Sequence, residues 1–336
     1  MAGPDLGSGP RSFRPGDIAE IKSAPEILAT LDAEGKLDGL PFMPEMLRYC
    51  GQTVTIYKRA DRTCDTIFFD GQRRMQDAVF LTDLRCDGGA HGGCQAGCLI
   101  FWKEAWLRRP SEQHHVGEGF GASGEQFETA GLFAATRLVA DSDPTAERFM
   151  CQATEIVRAT APLPWWEPSQ YVRELASGNA TVLEMFVAMI KWVFVQVQRR
   201  LMGGSTVPLV RGKLTKTPRE LLDLRPGELV RVKSKEEIAQ TLDGRNRNRG
   251  LTFDSEMLGY CGGEYRVLRR VNRIINEETG ELIDLPGDCI VLDTVTCTAE
   301  YHRLCRRSIY PYWREIWLTR VSQPVEITRS SESRAG

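Results

Sequence analysis

The chain contains an internal repeat, and no other feature limits its possible folds so sharply. Residues 14–109 align with residues 225–320 at a constant offset of 211, without a gap. Arg14-Pro15-Gly16-Asp17 corresponds to Arg225-Pro226-Gly227-Glu228, Glu45-Met46-Leu47 to Glu256-Met257-Leu258, and Tyr49-Cys50-Gly51 to Tyr260-Cys261-Gly262. Near the end of each copy, Trp102, Glu104, Trp106 and Leu107 correspond to Trp313, Glu315, Trp317 and Leu318. The fold must be one that the chain builds twice, in about 95 residues each time, the size of one small domain.

Both copies give the same local reading. Gly16–Ile21 and Glu228–Val232 alternate as short strands. Ser23 with Glu26, and Ser234 with Glu237, have capping-box spacing and start a helix. A second short helix covers Pro44–Tyr49 and Ser255–Tyr260, closed by Gly51 and Gly262. Two strands follow in each copy, Val54–Arg59 and Ala78–Leu84, then Tyr265–Arg270 and Cys289–Val295, joined by a long connection that differs between copies and reads as a surface loop. A last short strand carries W-x-E-x-W-L. This order resembles, in layout, a small SH3-like barrel with a helical insertion. The expected class is α+β: tandem SH3-like β-barrel domains at 14–109 and 225–321 flank a helical middle domain at 129–224. A linker covers 110–128, and disordered tails cover 1–13 and 322–336.

The repeat sorts the ten cysteines and four histidines. Cys50, Cys86, His91 and Cys94 in the first copy have counterparts Cys261, Cys297, His302 and Cys305 in the second, so both read C-x35-C-x4-H-x2-C. Three thiolates and an imidazole form a closed tetrahedral zinc set, and the expectation is one structural zinc per copy, two per chain. The glycines of Cys86-Asp87-Gly88-Gly89-Ala90-His91-Gly92-Gly93-Cys94 suit a backbone that turns tightly around an ion. Buried thiols and disulfides are the competing readings. Cys98 has no counterpart (Ile309 stands there) and is an alternative ligand; Cys64, Cys151 and Cys289 read as ordinary core or surface thiols. The segment Cys86–His91 is also similar to the C-D-G-S-H signature of CDGSH iron–sulfur proteins, which implies a two-iron cluster on three cysteines and one histidine. It has one extra residue before the histidine, and the close cysteine pair upstream is absent.

The remaining features are less specific. His114 and His115 lie in the linker, as does the glycine-rich run Gly117–Gly124, which reads as flexible chain. No nucleophile-elbow, P-loop or dinucleotide motif occurs. Pro162–Pro168 holds Trp165 and Trp166, a pair that more often packs helices onto neighbours; with Trp102, Trp106, Trp313 and Trp317 they are candidate interaction residues. Glu104 and Glu315 each sit between tryptophans and read as partners of a nearby arginine. Arg245, Arg247, Arg249, Arg269, Arg270 and Arg273 offer a basic patch, but a net charge of −2 argues against a dedicated polyanion binder. Val182–Val197 is the most apolar run; it is short for a bilayer, holds Glu184 and Lys191, and reads as a buried helix. With no signal peptide in sight, the expected setting is the cytoplasm, without membrane contact. The function expected is non-catalytic: a zinc-binding tandem-repeat module for a protein or peptide. A metalloenzyme or iron–sulfur redox protein, and a nucleic-acid adaptor, are the alternatives.

Overall fold

The computed structural model describes residues 12–64, 66, 71–110, 122–138, 147–201 and 210–321. The expectations for residues 1–11, for 111–121 of the linker with His114 and His115, and for the tail 322–336 lie outside the described residues, while 122–128 of the expected linker belong to the helix Ala122–Thr136. The fold is mixed α and β, with several antiparallel sheets.

Each copy builds one five-stranded antiparallel sheet with the same connectivity. In the first the order is Leu99–Lys103, Ala78–Arg85, Thr53–Arg59, Ile18–Ile21 and Leu107–Arg108, and the sheet is half of a barrel. In the second it is Trp313–Arg314, Leu282–Leu292, Glu264–Ile275, Leu229–Val232 and Leu318–Arg320. The registers also repeat at the offset of 211. Ile18 faces Thr55 as Leu229 faces Arg266; Ile21 faces Leu107 as Val232 faces Leu318; Val79 faces Trp102 as Ile290 faces Trp313. The first strand sends its alternate residues Ala19 and Ile21 into the core. The capping boxes then turn the chain into a helix: the Ser23 and Ser234 amides donate to Glu26 and Glu237 at 2.9 and 2.8 Å.

The four repeat tryptophans are core residues, all fully buried, so none of them presents a surface to a partner. A single 3-10 turn, Glu104–Trp106 or Glu315–Trp317, brings both indoles of a copy onto one phenylalanine. Phe42 meets Trp102 and Trp106 edge-on at 6.3 and 5.2 Å; Phe253 meets Trp313 and Trp317 at 6.2 and 5.3 Å. The Trp106 and Trp317 N–H groups donate to Thr30 and Thr241. The glutamate between the tryptophans pairs with an arginine at equivalent places, Arg59 with Glu104 and Arg270 with Glu315.

The chain divides into two compact units whose limits are not those of the repeat. The first contains residues 1–207 together with 271–286 and 296–311 from the second copy; the second contains 208–270, 287–295 and 312–336. In the second copy the divergent connection is an extension of the paired strands Glu264–Ile275 and Leu282–Leu292 rather than a loop. Its tip is bound into the first unit, where Gln95 exchanges hydrogen bonds with Asn272 and Arg273 and Arg148 donates to the Gly280 carbonyl. In the first copy the matching stretch holds short strands, Thr63–Cys64 and Gln72–Arg74, and the latter pairs with Ala161–Leu163 of the middle region.

The middle region is helical at Ala122–Thr136, Gln152–Ala159, Ser169–Ala176 and Val182–Leu201. The last of these departs from expectation. It is not enclosed: Leu183, Phe186, Ile190 and Leu201 are among its exposed side chains. No helix among the described residues is long and apolar enough to cross a membrane.

Candidate metal centre

Three side chains from separate segments of the first copy converge. Glu45 lies on the 3-10 helix Pro44–Tyr49, Cys86 follows the strand Ala78–Arg85, and His91 ends the 3-10 turn Gly89–His91. The backbone of the loop is what delivers the last two. Gly88 has φ +76, and a Cβ there would stand 1.7 Å from the Cys94 carbonyl oxygen, so only glycine closes this turn. Its carbonyl then accepts the amides of His91 and Gly93, both at 3.0 Å.

His91 is fully buried. Its Nδ1 donates to the Phe149 carbonyl at 2.9 Å, and its Nε2 lies 2.7 Å from Glu45 Oε1. The Cys86 thiol donates to the same oxygen at 3.3 Å. The second carboxylate oxygen of Glu45 is buried with no hydrogen-bond partner in the protein. Burial alone would push the His91 pKa down, but the hydrogen bond and charge of Glu45 outweigh it and the net shift is upward. Burial, with Glu45 adding to it, pushes the Cys86 thiol well up. Among the described residues this is the one group of three or more histidine, cysteine or acidic side chains whose ligand atoms all lie within 4.8 Å of one another.

The arrangement has the features of a metal site. A carboxylate oxygen, a sulfur and an imidazole nitrogen face one point, and the far ring nitrogen is held by a backbone carbonyl, as in ligating histidines. Cys86 and His91 of the sequence set are brought together here. Cys50, at the end of the Pro44–Tyr49 helix, is outside the group, and burial pushes its thiol up to about 11. Cys94 is buried and packs with Cys151, Ala153 and Ile275. Cys98 is pushed up to about 11 by burial and lines a small hollow with Cys86 and Cys151. Glu45 is the member of this candidate group that reading the sequence for cysteine and histidine missed. The signal was present, since Glu45 matches Glu256 within the shared Glu-Met-Leu.

The second copy reproduces the loop but not this cluster. Cys297, His302 and Cys305 lie in the first unit and Cys261 in the second. The His302 and Leu304 amides both donate to the Ala299 carbonyl, repeating the bonds to Gly88, and the Cys297 amide donates to the Ile309 carbonyl as Cys86 does to Cys98. The left-handed positions are the same too, at Ala299, Arg303, Leu304 and Ser308 against Gly88, Gly92, Gly93 and Gly97. Four non-glycine residues there make the second loop the more strained of the two. Cys305 is buried with its Sγ 2.8 Å from that of Cys64, whose amide donates to it at 3.0 Å. Burial raises the Cys305 pKa, but its hydrogen bonds with Cys64 and the Arg307 backbone and charge outweigh it, and the net shift is downward. All ten cysteines are free thiols.

The other candidates separate clearly. Trp165 and Trp166 are exposed, and Trp165 packs against Trp192 with ring centroids 5.1 Å apart and planes tilted by 41°. Arg270 and Arg273 are engaged by Glu315 and Asp284. No family model, characterised protein or solved structure matches the chain.

Proposed function

We propose that this is a metal-binding repeat protein, that its first copy holds a zinc ion between Glu45, Cys86 and His91, and that it serves as a protein- or peptide-interaction module rather than an enzyme. The carrying observation is the environment of His91. A fully buried imidazole is oriented by the Phe149 carbonyl so that Nε2 faces a thiol and a carboxylate, one oxygen of which has no partner. A buried polar atom without a partner costs about 1–3 kcal/mol, and an ion on that oxygen removes the cost. Mixed oxygen, nitrogen and sulfur donors suit zinc. Cys98 and Cys151, on the same hollow as Cys86, are the thiols from which we draw the fourth ligand of a closed structural shell. The matching sheets are read as SH3-like barrels, supported by their common strand order and register.

A second reading rests on the number of donors. Three protein ligands with a fourth position open is the arrangement of catalytic zinc, which supports a metalloenzyme at the same place. Two ions per chain rests on the repeat and the retained backbone of the second loop; the clustered side chains supply one.

Metal analysis and an absorption spectrum of protein purified under reducing conditions test all of this. We expect at least one colourless zinc per chain, lost in Glu45→Ala and His91→Ala. A further ion lost only in His302→Ala gives the count of two. Visible absorption bands replace zinc with an iron–sulfur cluster. Protein without bound metal, and with no zinc affinity, refutes the metal reading.

A further inference from the structure

Each copy's cysteine–histidine loop is seated on a strand of the other copy, within the first unit. The Gln95 amide donates to the Arg273 carbonyl at 2.9 Å, and at the same offset of 211 the Arg306 amide donates to the Arg62 carbonyl at 3.4 Å. The side chains beside these bonds correspond as well. Cys94 packs in a small apolar cluster with Ile275. Its counterpart Cys305 meets Cys64, which is the residue equivalent to Ile275. A contact of sulfur with hydrocarbon at one place is a contact of two sulfurs at the other.

The two sulfurs are 2.8 Å apart and belong to residues 241 apart in sequence. A disulfide holds them at about 2.05 Å, so bonding asks for a closure of under about 1 Å. The backbones on both sides are already tied together. Arg62 Nη1 donates to the Arg303 carbonyl at 2.7 Å, Gln72 Nε2 to the same carbonyl at 3.1 Å, and the Cys64 amide to the Cys305 sulfur at 3.0 Å. That last bond favours negative charge on Cys305, the form in which a cysteine is a nucleophile. Cys305 is buried, while Cys64 is half-buried and gives a small oxidant its approach.

What the bond would hold is also defined. Residues 296–311 enter the first unit from the second copy, and Ala299, Arg303, Leu304 and Ser308 strain their loop. Segments of this kind, strained and brought in from far along the chain, are drawn from the part of a structure that opens locally. A cross-link across 241 residues opposes that opening. Reversible pairs are also the form that disulfides take where thiols are otherwise kept reduced.

We propose that Cys64 and Cys305 are a redox-switched pair: oxidation by hydrogen peroxide closes a disulfide that locks residues 296–311 onto the first copy, and thiol reductants release it. The Cys305 thiolate attacks one peroxide oxygen, the O–O bond breaks, and a sulfenic acid and hydroxide form; the hydroxide takes the proton that Cys305 gave up and leaves as water. The Cys64 thiolate then attacks the sulfenic sulfur. The S–S bond forms, the S–O bond breaks, and the departing hydroxide takes the Cys64 proton as a second water. The two thiols lose two electrons, and the peroxide gains them. Two molecules of a monothiol such as glutathione reverse the bond by exchange and leave as their own disulfide. Cys305 is thereby assigned to Cys64 rather than to a second ion, and the ion at Glu45, Cys86 and His91 takes no part.

Peroxide treatment of the full-length protein, purified reduced and then freed of reductant, tests the pair. The protein is alkylated, digested without reduction and read by mass spectrometry. We expect a peptide cross-linked through Cys64 and Cys305, and amide exchange over residues 296–311 at least tenfold slower than in reduced protein, both reversed by dithiothreitol. Cys305→Ser and Cys64→Ile should abolish both effects. The isoleucine copies the packing of Ile275 with Cys94, so the bond is removed from a protein whose fold circular dichroism can verify. Cys64 and Cys305 alkylated after peroxide, or oxidised without bonding, overturn the proposal, as does a disulfide from either to a third cysteine. Exchange over 296–311 that is unchanged by the bond overturns the lock. Zinc bound to the reduced protein and lost in Cys64→Ile overturns the switch by assigning the pair to metal.

Discussion

Equivalent glutamates in the two copies should differ widely in what they contribute to stability. Glu315 is fully buried. Its Oε2 accepts the amides of Leu222 and Asp223 at 2.5 and 3.1 Å, and its Oε1 accepts the amide of Leu224 at 3.2 Å and the Arg270 guanidinium at 2.5 Å. Glu104 accepts from Arg59, and its side chain is 17% exposed. Arg59 also has Asp61 and the Phe13 carbonyl as partners. Glu315→Ala strands three buried amides and takes the carboxylate from Arg270, which keeps the Gly287 and Leu224 carbonyls. At about 1–3 kcal/mol for each unsatisfied group, reduced by whatever water enters, the cost should settle near the ~3–5 kcal/mol of a broken buried ion pair. Glu104→Ala strands one partly hydrated pair whose cation keeps its other contacts, and about 1–2 kcal/mol is expected. Urea titration followed by hydrogen-exchange mass spectrometry reads each copy separately. The peptide over residues 222–224 should lose protection only in the Glu315 variant. Equal costs within about 0.5 kcal/mol, or a cheaper Glu315→Ala, would refute the reasoning that links accepted hydrogen bonds to stability here.

Three further outcomes follow from the site and its loop. Because the folded pKa of His91 is raised, its pairing with Glu45 stabilises metal-free protein fully below the unfolded value of 6.5 and is lost as pH rises through the folded value. The stability difference between wild type and His91→Gln should therefore shrink with rising pH in chelator-treated protein and grow in zinc-loaded protein, where Nε2 and Cys86 must shed their protons; thermal melts across neutral pH give both slopes. Gly88→Ala cannot keep the turn, because its Cβ would fall 1.7 Å from the Cys94 carbonyl, and should lower both zinc content and melting temperature. Ala299→Gly relieves a left-handed alanine, φ +59, at the equivalent position, and net stabilisation of about 0.5–1 kcal/mol by urea titration is expected; destabilisation would show that the Cβ is needed there.

Much of the local structure was legible because its causes are local. The capping boxes at Ser23 and Ser234, the 3-10 helices at Pro44 and Ser255, and the arginine partners of Glu104 and Glu315 all depend on residues close in sequence or matched by the repeat. The glycine demand at Gly88 was visible for the same reason. Glu45 was not read as a ligand, because a lone acidic residue among 45 acidic side chains carries no spacing signal until the loop brings His91 to it. The four repeat tryptophans were read as candidate contacts and are core instead, because Phe42 and Phe253, far from them in sequence, pack against them. The exposure of Val182–Leu201 was misread because periodicity reports that a face is apolar and is silent on what covers it. The long hairpin of the second copy depended on where its tip is received, at Gln95 and Arg148.

The first unit takes in residues 271–286 and 296–311. On a ribosome, its own first two hundred residues are finished long before those two segments are made, at about 5–20 residues per second. Through that interval Gln95, Arg148, Arg62 and Gln72 are without the strand tip and loop that they bind in the finished protein. The nascent chain therefore waits with an open half-domain, and its last structural step is a long-range closure rather than the docking of a preformed module. A sequence repeat ordinarily promises parts that can be separated; this chain has used its second copy to close the unit begun by its first, and cutting it between the copies would leave neither half intact.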